Sequence, residues 1–335
     1  MKTVLVTGAS GFVGSHLTEE LLKHGFRTIA AIRFSSSTKY LTHPEIIIYR
    51  LNLNDKEQLK NDLLKLSQQV GEIHYIIHNA GITKAKRLND FWTHNFGTTK
   101  NLVDVITELQ LKVEKFIYIS SLAAYGAGNP FTLEPVKLTD IPNPQTEYGR
   151  SKLAAEEYVM ENSHFPWIVF RPTGIYGPRD VDYFVFLKII QRGFEPYVGF
   201  KTQHLTFIYI KDLVRLVVQA LESKVFNKSY FVSDGNTYTS EEYADIVKKA
   251  LNKKTFRIRV PLFMVKTLAY LTELIYKPFG VLPLLNKDKY YLLSSINWKC
   301  DIEQTITDFS FTPQYNLEKG VKESIQWYKE NGWLN

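Results

Sequence analysis

One cysteine in 335 residues, Cys300, leaves no partner for an internal disulfide and excludes a Cys-rich metal site. Beside Trp298 it reads as a half-buried apolar filler rather than a nucleophile. The histidines His74, His94 and His164 stand at no metal-ligand spacing from Cys, Asp or Glu, so no metal is expected. No Lys/Arg block exceeds a pair or so, which argues against a nucleic-acid partner; the net charge of +7 is mild for this length. Long apolar runs are also missing. Val260–Leu285 comes nearest, but Lys266, Glu273 and Lys277 interrupt it and Pro278 and Gly280 break it. It falls short of the ~20 residues of a spanning helix. It reads as an amphipathic helix and a loop, a lid or substrate-domain element, with peripheral membrane contact as the alternative. The N-terminus patterns as a strand, not as a charged-then-apolar leader, so a cytoplasmic setting is expected.

What is present is an ordinary globular composition, 44% hydrophobic and 22% charged, in a chain long enough for one large or two modest domains. Its most informative stretch is Lys2–Leu17. The apolar Val4–Val6 reads as a buried parallel strand, then Gly8, Gly11 and Gly14 precede a helical pattern through Leu17, Leu21 and Leu22. A sharp strand-to-helix turn gathers free N–H groups and the positive end of the helix dipole at one spot. Glycine there admits a pyrophosphate to the backbone. Gly8, Ser10, Gly11, Phe12, Val13 and Gly14 are therefore candidate cofactor contacts, although the spacing is G-x-x-G-x-x-G rather than G-x-G-x-x-G. His16, in the same helix, reads as structural.

The first 120 residues alternate strand and helix patterns, which predicts an α/β fold with a doubly wound parallel sheet. Strands are expected at Thr3–Thr7, Thr28–Ile32, Ile46–Tyr49, Tyr75–His78 and Lys115–Ser120. Helices are expected around Ser15–His24, Lys56–Gln69 and Phe91–Gln110. Where an NAD-binding chain usually carries Asp or Glu, about twenty residues past the glycines, this one has Arg33 followed by Ser35, Ser36, Ser37 and Thr38. A carboxylate repels a 2′-phosphate and a guanidinium binds it. NADP(H) is thereby favoured over NAD(H), the alternative being that Arg33 is a plain surface residue. Asn52 and Leu53 after the third strand, and His78 and Ala80 at the end of the fourth, lie on the carboxyl edge where ligands collect, and are further cofactor candidates. Asn95, early in the next helix, could serve chemistry or tie neighbouring segments together.

The catalytic candidates follow. The fifth strand ends at Ser120 and Ser121, and after a Pro-rich loop come Tyr148 and Lys152, four apart and so on one helical face. A nearby ammonium should lower the tyrosine's pKa from about 10. The tyrosine could then exchange a proton with a carbonyl or alcohol oxygen while a nicotinamide exchanges hydride, and Ser121 would hydrogen-bond that oxygen.

Gly8-x-x-Gly11-x-x-Gly14, Ser121 and Tyr148-x-x-x-Lys152 together resemble the extended short-chain dehydrogenase/reductase superfamily, closest to its NAD(P)-dependent epimerase/dehydratase members. Arg171–Arg179, Phe207–Leu213 and Phe309–Pro313 extend the resemblance along nearly the whole chain. It implies a Rossmann-type domain over 1–172 and 205–234, and a smaller mixed α/β substrate domain over 173–204 and 235–335. It also implies a catalytic triad of Ser121, Tyr148 and Lys152, with Lys152 and Tyr148 beside the cofactor as well, and further cofactor contacts at Pro172 and Ile175. A homodimer through the helices near Phe91–Gln110 and Glu147–Asn162 is implied too. Members acting on nucleotide sugars commonly carry Asn where this chain has Gly174, and Arg-Asp-Phe where it has Leu205-Thr206-Phe207. His204 or Arg179 could substitute for those phosphate contacts. The acidic pair of the dehydratases is absent at Leu122-Ala123. The pattern is more similar to the branch of dihydroflavonol reductases and 3β-hydroxysteroid dehydrogenases, which act on a carbonyl or alcohol of an apolar molecule. The expectation is an NADP(H)-dependent oxidoreductase with such a substrate. The alternatives are a nucleotide-sugar epimerase or reductase and a catalytically silent cofactor sensor.

Overall fold

The computed structural model describes residues 1–283 and 285–334. Leu284, in the apolar segment, and Asn335, at the end of the expected second domain, lie outside the described residues. In chain order come β1 (Thr3–Thr7), α1 (Phe12–Lys23), β2 (Arg27–Ile32), β3 (Ile47–Arg50), α2 (Lys56–Val70) and β4 (Tyr75–His78). Next, α3 (Leu88–Phe91) passes through a wide π turn (Trp92–Gly97) into α4 (Thr98–Glu108), followed by β5 (Lys115–Ile119), α5 (Glu147–Asn162) and β6 (Trp167–Pro172). Beyond these lie β7 (Gly174–Tyr176), α6 (Asp182–Gln191), β8 (Phe194–Val198), β9 (His204–Leu205), β10 (Phe207–Tyr209), α7 (Ile210–Glu222) and β11 (Lys228–Val232). The chain ends with β12 (Tyr238–Thr239), α8 (Ser240–Leu251), β13 (Phe256–Val260), α9 (Leu262–Tyr276), α10 (Lys287–Ser294), α11 (Glu303–Phe309) and α12 (Leu317–Glu330).

Seven strands form one parallel sheet in the order β11-β6-β5-β4-β1-β2-β3. Strand residues alternate between two apolar layers, as the period of two requires. Val4 and Val6 of β1 pack with Leu17 and Leu21 of α1 and with Leu213 and Val217 of α7. Leu5, between them, packs with Leu59 and Leu63 of α2, Leu102 and Ile106 of α4, and Val159 of α5. Both faces are covered, so β1 reads as an unbroken apolar run, and the fold is the Rossmann-type doubly wound sheet. The chain leaves β1 toward β2 on one side and returns through β4 on the other, which opens a crevice at the carboxyl ends of β1 and β4.

The remaining strands make three two-stranded ribbons, β7 with β10, β9 with β12, and β8 with β13. Tyr328 and Trp333 pack on Phe184, and Trp327 packs on both, so the C-terminal segment closes an aromatic core. The helix expected at Phe91–Gln110 is continuous only through its π turn. That extra residue per turn brings Asn95 into the interior, where Nδ2 donates to Ser151 Oγ at 3.0 Å and Oδ1 accepts from Ile82 N at 2.8 Å. Of its two readings, the tie between segments is the one the contacts show.

Candidate active site

The glycine turn is built by close approach. Gly8 has φ +66°, and a Cβ there would stand 2.8 Å from Ala80 Cα. A Cβ on Gly14 would overlap the Gly8 carbonyl, so α1 starts pressed against the end of β1. Gly11 is the residue before the helix and offers no side-chain cap, which leaves first-turn N–H groups facing the crevice. Ser10, Phe12 and Val13 share this turn and are half-buried. Ala80 N donates to Thr7 Oγ1 at 3.1 Å, which locks the two crevice walls together. The cradle fits a dinucleotide pyrophosphate, because its donors are backbone groups and no side chain fills it.

His78 does not reach the crevice by its side chain. It is fully buried, with Nδ1 2.8 Å from Thr7 Oγ1 and Nε2 3.0 Å from Thr99 Oγ1, and it stacks on Tyr118. Burial, with Lys152 nearby, holds the ring neutral by pushing its pKa down to about 3. It bolts β4 to β1 and α4 instead. His16 is likewise structural, its Nδ1 3.0 Å from Phe12 O. Asn52 Nδ2 donates to Gln58 Oε1 at 2.8 Å and Oδ1 accepts from Asn54 N at 3.2 Å, while the Leu53 carbonyl accepts from Asn101 at 2.9 Å. That loop is shaped by its own bonds. Arg33 is exposed at the end of β2. Arg50 Nη1 donates to the carbonyls of Arg33 and Phe34 at 3.2 and 2.7 Å, bringing to this corner a second guanidinium that sequence reasoning missed. Pro172 ends β6, paired with Val232, and Ile175 on β7 pairs with Ile208.

Ser121 follows β5 and caps a short turn, its Oγ accepting from Ala123 N at 3.2 Å. The Thr146 hydroxyl caps α5 by accepting from Gly149 N at 3.0 Å, which fixes the turn carrying Tyr148. A Cβ on Gly149 would overlap the Ala123 carbonyl, so only glycine lets α5 press onto the Ser121 turn. That contact seats the Tyr148 turn beside Ser121. A glycine immediately after the candidate tyrosine is the local signal of this close packing.

Lys152 departs from its expected arrangement. Its ammonium is buried, donates to Ile119 O at 2.7 Å and lies 4.5 Å from the centre of the Tyr118 ring. Burial lowers its pKa to about 7, with Glu156 opposing. Tyr148 is pushed up, not down: burial dominates, the Ser121 hydroxyl opposes it, and Asp182 and Glu156 add to it. The lysine that was expected to ionise the tyrosine is turned to a strand carbonyl. A test follows from the sign. The unfolded lysine keeps its proton to about pH 10.4, and the folded one releases it near 7. The unfolded state therefore binds more protons in that window. Stability relative to Lys152→Met should rise by ~1–2 kcal/mol over roughly two pH units above 7 in urea titrations.

Behind these groups lies a buried ion pair that sequence reasoning missed. Arg171 Nε and Nη2 meet Glu156 Oε2 at 2.9 and 2.8 Å, and Ser120 Oγ donates to the other carboxylate oxygen. The guanidinium is 4.5 Å from the Tyr125 ring centre. Arg179, a candidate phosphate ligand, is engaged elsewhere: it donates to Ser15 Oγ at 3.0 Å and Glu19 Oε1 at 2.6 Å, with Tyr40 packed on it. Gly174, where the nucleotide-sugar pattern has Asn, is filled from another element. A Cβ there would overlap the Tyr183 hydroxyl, and Tyr183 packs on Phe207 and Tyr243. Thr206 donates to Trp298 O at 2.7 Å, and Phe207 is buried. Cys300 sits in the small cluster of Leu122, Val136, Phe231 and Ile302, and burial raises its thiol to about 12. It is a filler, as expected.

A doubly wound sheet with a bare glycine cradle at its switch point, and with Ser, Tyr and Lys gathered on the same edge, defines an enzyme that works with a dinucleotide. Residues 4–232 match the NAD dependent epimerase/dehydratase family, and the chain belongs to it. The chain is similar to a UDP-glucose 4-epimerase of Vibrio cholerae, 26% identical over 97% of this chain and 95% of that one. It is also similar to a sterol-4-alpha-carboxylate 3-dehydrogenase, decarboxylating, of Dictyostelium discoideum, 24% identical over 96% and 100%. The crystal structure of a UDP-glucose 4-epimerase of Thermotoga maritima, with UDP-glucose, shares the fold at TM-score 0.78 and 20% identity, covering 98% of this chain and 99% of that one. The protein is thus an NAD(P)-dependent enzyme of the extended short-chain dehydrogenase/reductase superfamily.

Proposed function

We propose that this enzyme is an NADP(H)-dependent oxidoreductase that interconverts a carbonyl and an alcohol on a small, largely apolar substrate. The observation that carries this reading is Tyr183 over Gly174. The place of a phosphate-binding amide is occupied by an aromatic ring packed on Phe207 and Tyr243. Arg179 is held by Glu19 and Leu205 packs against the core, which leaves half-buried His204 as the one remaining candidate of the two substitutes. A pyrophosphate needs compensating donors, and an apolar molecule does not.

In this reading the bound nicotinamide supplies or accepts the hydride. Residues 1–172 and 205–234, joined by Ile175 from the second domain, hold the cofactor: Gly8, Ser10, Gly11, Phe12, Val13 and Gly14 by the backbone of the turn, Arg33 by charge, and Ala80, Pro172 and Ile175 as walls. Residues 173–204 and 235–335 receive the substrate. Tyr148, kept protonated by burial, gives its proton to the carbonyl oxygen as negative charge develops there. Ser121, on the turn against which Gly149 packs, stabilises the same oxygen. Lys152 positions this corner. A protonated tyrosine suits reduction over oxidation near neutral pH. Two subunits are proposed to pair through α4 and α5.

The epimerases among the relatives support a second reading, in which a nucleotide sugar is the substrate and hydride is returned within one cycle. Fluorescence titration and turnover measurements separate the two. NADPH should bind more tightly than NADH. Arg33→Ala should weaken NADPH binding by about 10–100-fold, as for a lost charge-assisted bond of 1.5–3 kcal/mol, and leave NADH within a few-fold. Net oxidation of NADPH by apolar ketones, without inhibition by millimolar nucleoside diphosphate, is expected. A preference for NADH, or tight nucleoside diphosphate binding, would sink the proposal.

A further inference from the structure

We propose that α9 and the segments flanking it form a docking surface for an anionic lipid bilayer. Only Val265 and Ala269, four apart on one face, are buried along the fifteen residues of α9. The rest of the helix turns outward, with Phe263 70%, Leu271 50%, Leu274 67% and Ile275 61% exposed, and Phe279 beyond it 73% exposed. A helix apolar nearly all round is normally covered, and a large exposed apolar patch marks an interaction site. Two further exposed aromatics, Phe194 and Phe256, stand opposite each other at the start of the adjoining β8–β13 ribbon. The end of this ribbon lies close to α9, since a Cβ on Gly199 would stand 3.0 Å from the Leu262 side chain.

Charge identifies the occupant. Residues 253–289 contain eight Lys/Arg and two acidic residues, six of the chain's seven net positive charges. Both acids are engaged: Glu273 pairs with Lys287 at 3.5 Å, and Asp288 accepts from Glu147 N at 2.7 Å. Arg257 and Arg259 are held by Glu195 and Glu241. Lys253, Lys254, Lys266 and Lys289 are exposed and, among the described residues, in no ion pair. A second copy placed symmetrically on this face would bring like charges together, whereas anionic headgroups neutralise them. No described helix is long and apolar enough to cross a membrane, so α9 would lie in the plane of the interface, apolar side down.

The surface is mechanically joined to the site. Leu282 N donates to Lys86 O at 2.5 Å in the loop after β4, and Asp288 holds Glu147, the residue before Tyr148. Docking therefore places the Tyr148 end of α5 beside the bilayer. Substrate drawn from the lipid phase is a consequence that rests on the proposed reaction; the docking itself does not.

Co-sedimentation of the full-length protein with vesicles tests it. Vesicles of phosphatidylcholine containing one-third phosphatidylglycerol should retain the protein about tenfold or more better than phosphatidylcholine alone, and high salt should release it. A variant with Leu271→Glu, Leu274→Glu and Ile275→Glu should fold normally by circular dichroism, because these side chains are exposed, and lose vesicle binding. Lys253→Glu with Lys266→Glu should weaken binding to anionic vesicles alone. Failure of the wild type to bind anionic vesicles, or binding unchanged in both variants, overturns the proposal. So does a triple variant that only loses oligomers, which would assign the face to a second copy.

Discussion

Tyr148→Phe should lower turnover by about 10²–10⁴-fold, the usual loss for a positioned proton donor, and leave cofactor binding within a few-fold of wild type. The ring is kept in place without its hydroxyl. Thr146 caps the same turn, Gly149 seats it on the Ala123 carbonyl, and the Phe91 ring meets the Tyr148 ring edge-on at 6.0 Å. Loss of a single hydroxyl costs at most about 0.5–1.5 kcal/mol of stability, too little to unfold the domain. The pH profile distinguishes proton donation from a merely structural role. Burial holds the hydroxyl's pKa above its ordinary value of about 10, so wild-type reduction should not fall as pH rises through 8 and 9 on account of this group, within roughly a pH unit of that value. Parallel stopped-flow measurements of NADPH oxidation and of NADPH binding supply both readouts. Retention of more than about a tenth of the wild-type rate would remove Tyr148 from the proton-donor role.

How much of this site could be read from the sequence varies with the range of the interaction. β1 and β4 fall on the residues expected, as does α5 on the helix bounds implied by the family resemblance, because each is declared locally by an apolar run or a cap. β2, β3 and β5 differ from expectation by a residue at one end or both, where the ladder continues or stops according to its neighbour. α1 begins at Phe12 rather than Ser15, since its first turn is set by the packing of Gly14 against Gly8. What escaped was tertiary. Nothing local to His78 says that Thr7 and Thr99 take both its nitrogens. Nothing local to Lys152 says that the Ile119 carbonyl lies nearer than the tyrosine hydroxyl. The absence of Asn at Gly174 was legible, but its replacement by Tyr183, nine residues on, appears only when α6 folds back over β7.

Removing the buried cation at Arg171 should be the most destabilising single change near the site. Arg171 and Glu156 are 2% and 0% exposed, and the carboxylate's other partner is Ser120, a neutral hydroxyl. Arg171→Met fills much of the space against Tyr125 and Phe231, so the loss measures charge rather than volume. A carboxylate left buried without its cation costs about 3–5 kcal/mol. The double variant Arg171→Met, Glu156→Gln should recover most of that, because no uncompensated charge remains; a cycle in urea denaturation reads the coupling. The sign of the pH dependence supplies an independent check. Without the guanidinium, the cheapest way to bury Glu156 is protonated. The folded variant then binds a proton that the unfolded chain has released, and its stability falls as pH rises. The deficit should therefore be smaller in mild acid than in mild alkali, while the double variant shows no such slope. Activity should fall with it, since Ser120 adjoins Ser121 and Glu156 is the charge that opposes the lowering of the Lys152 pKa. A deficit independent of pH would mean that Arg171 acts by packing on the aromatic rings and not by neutralising the carboxylate.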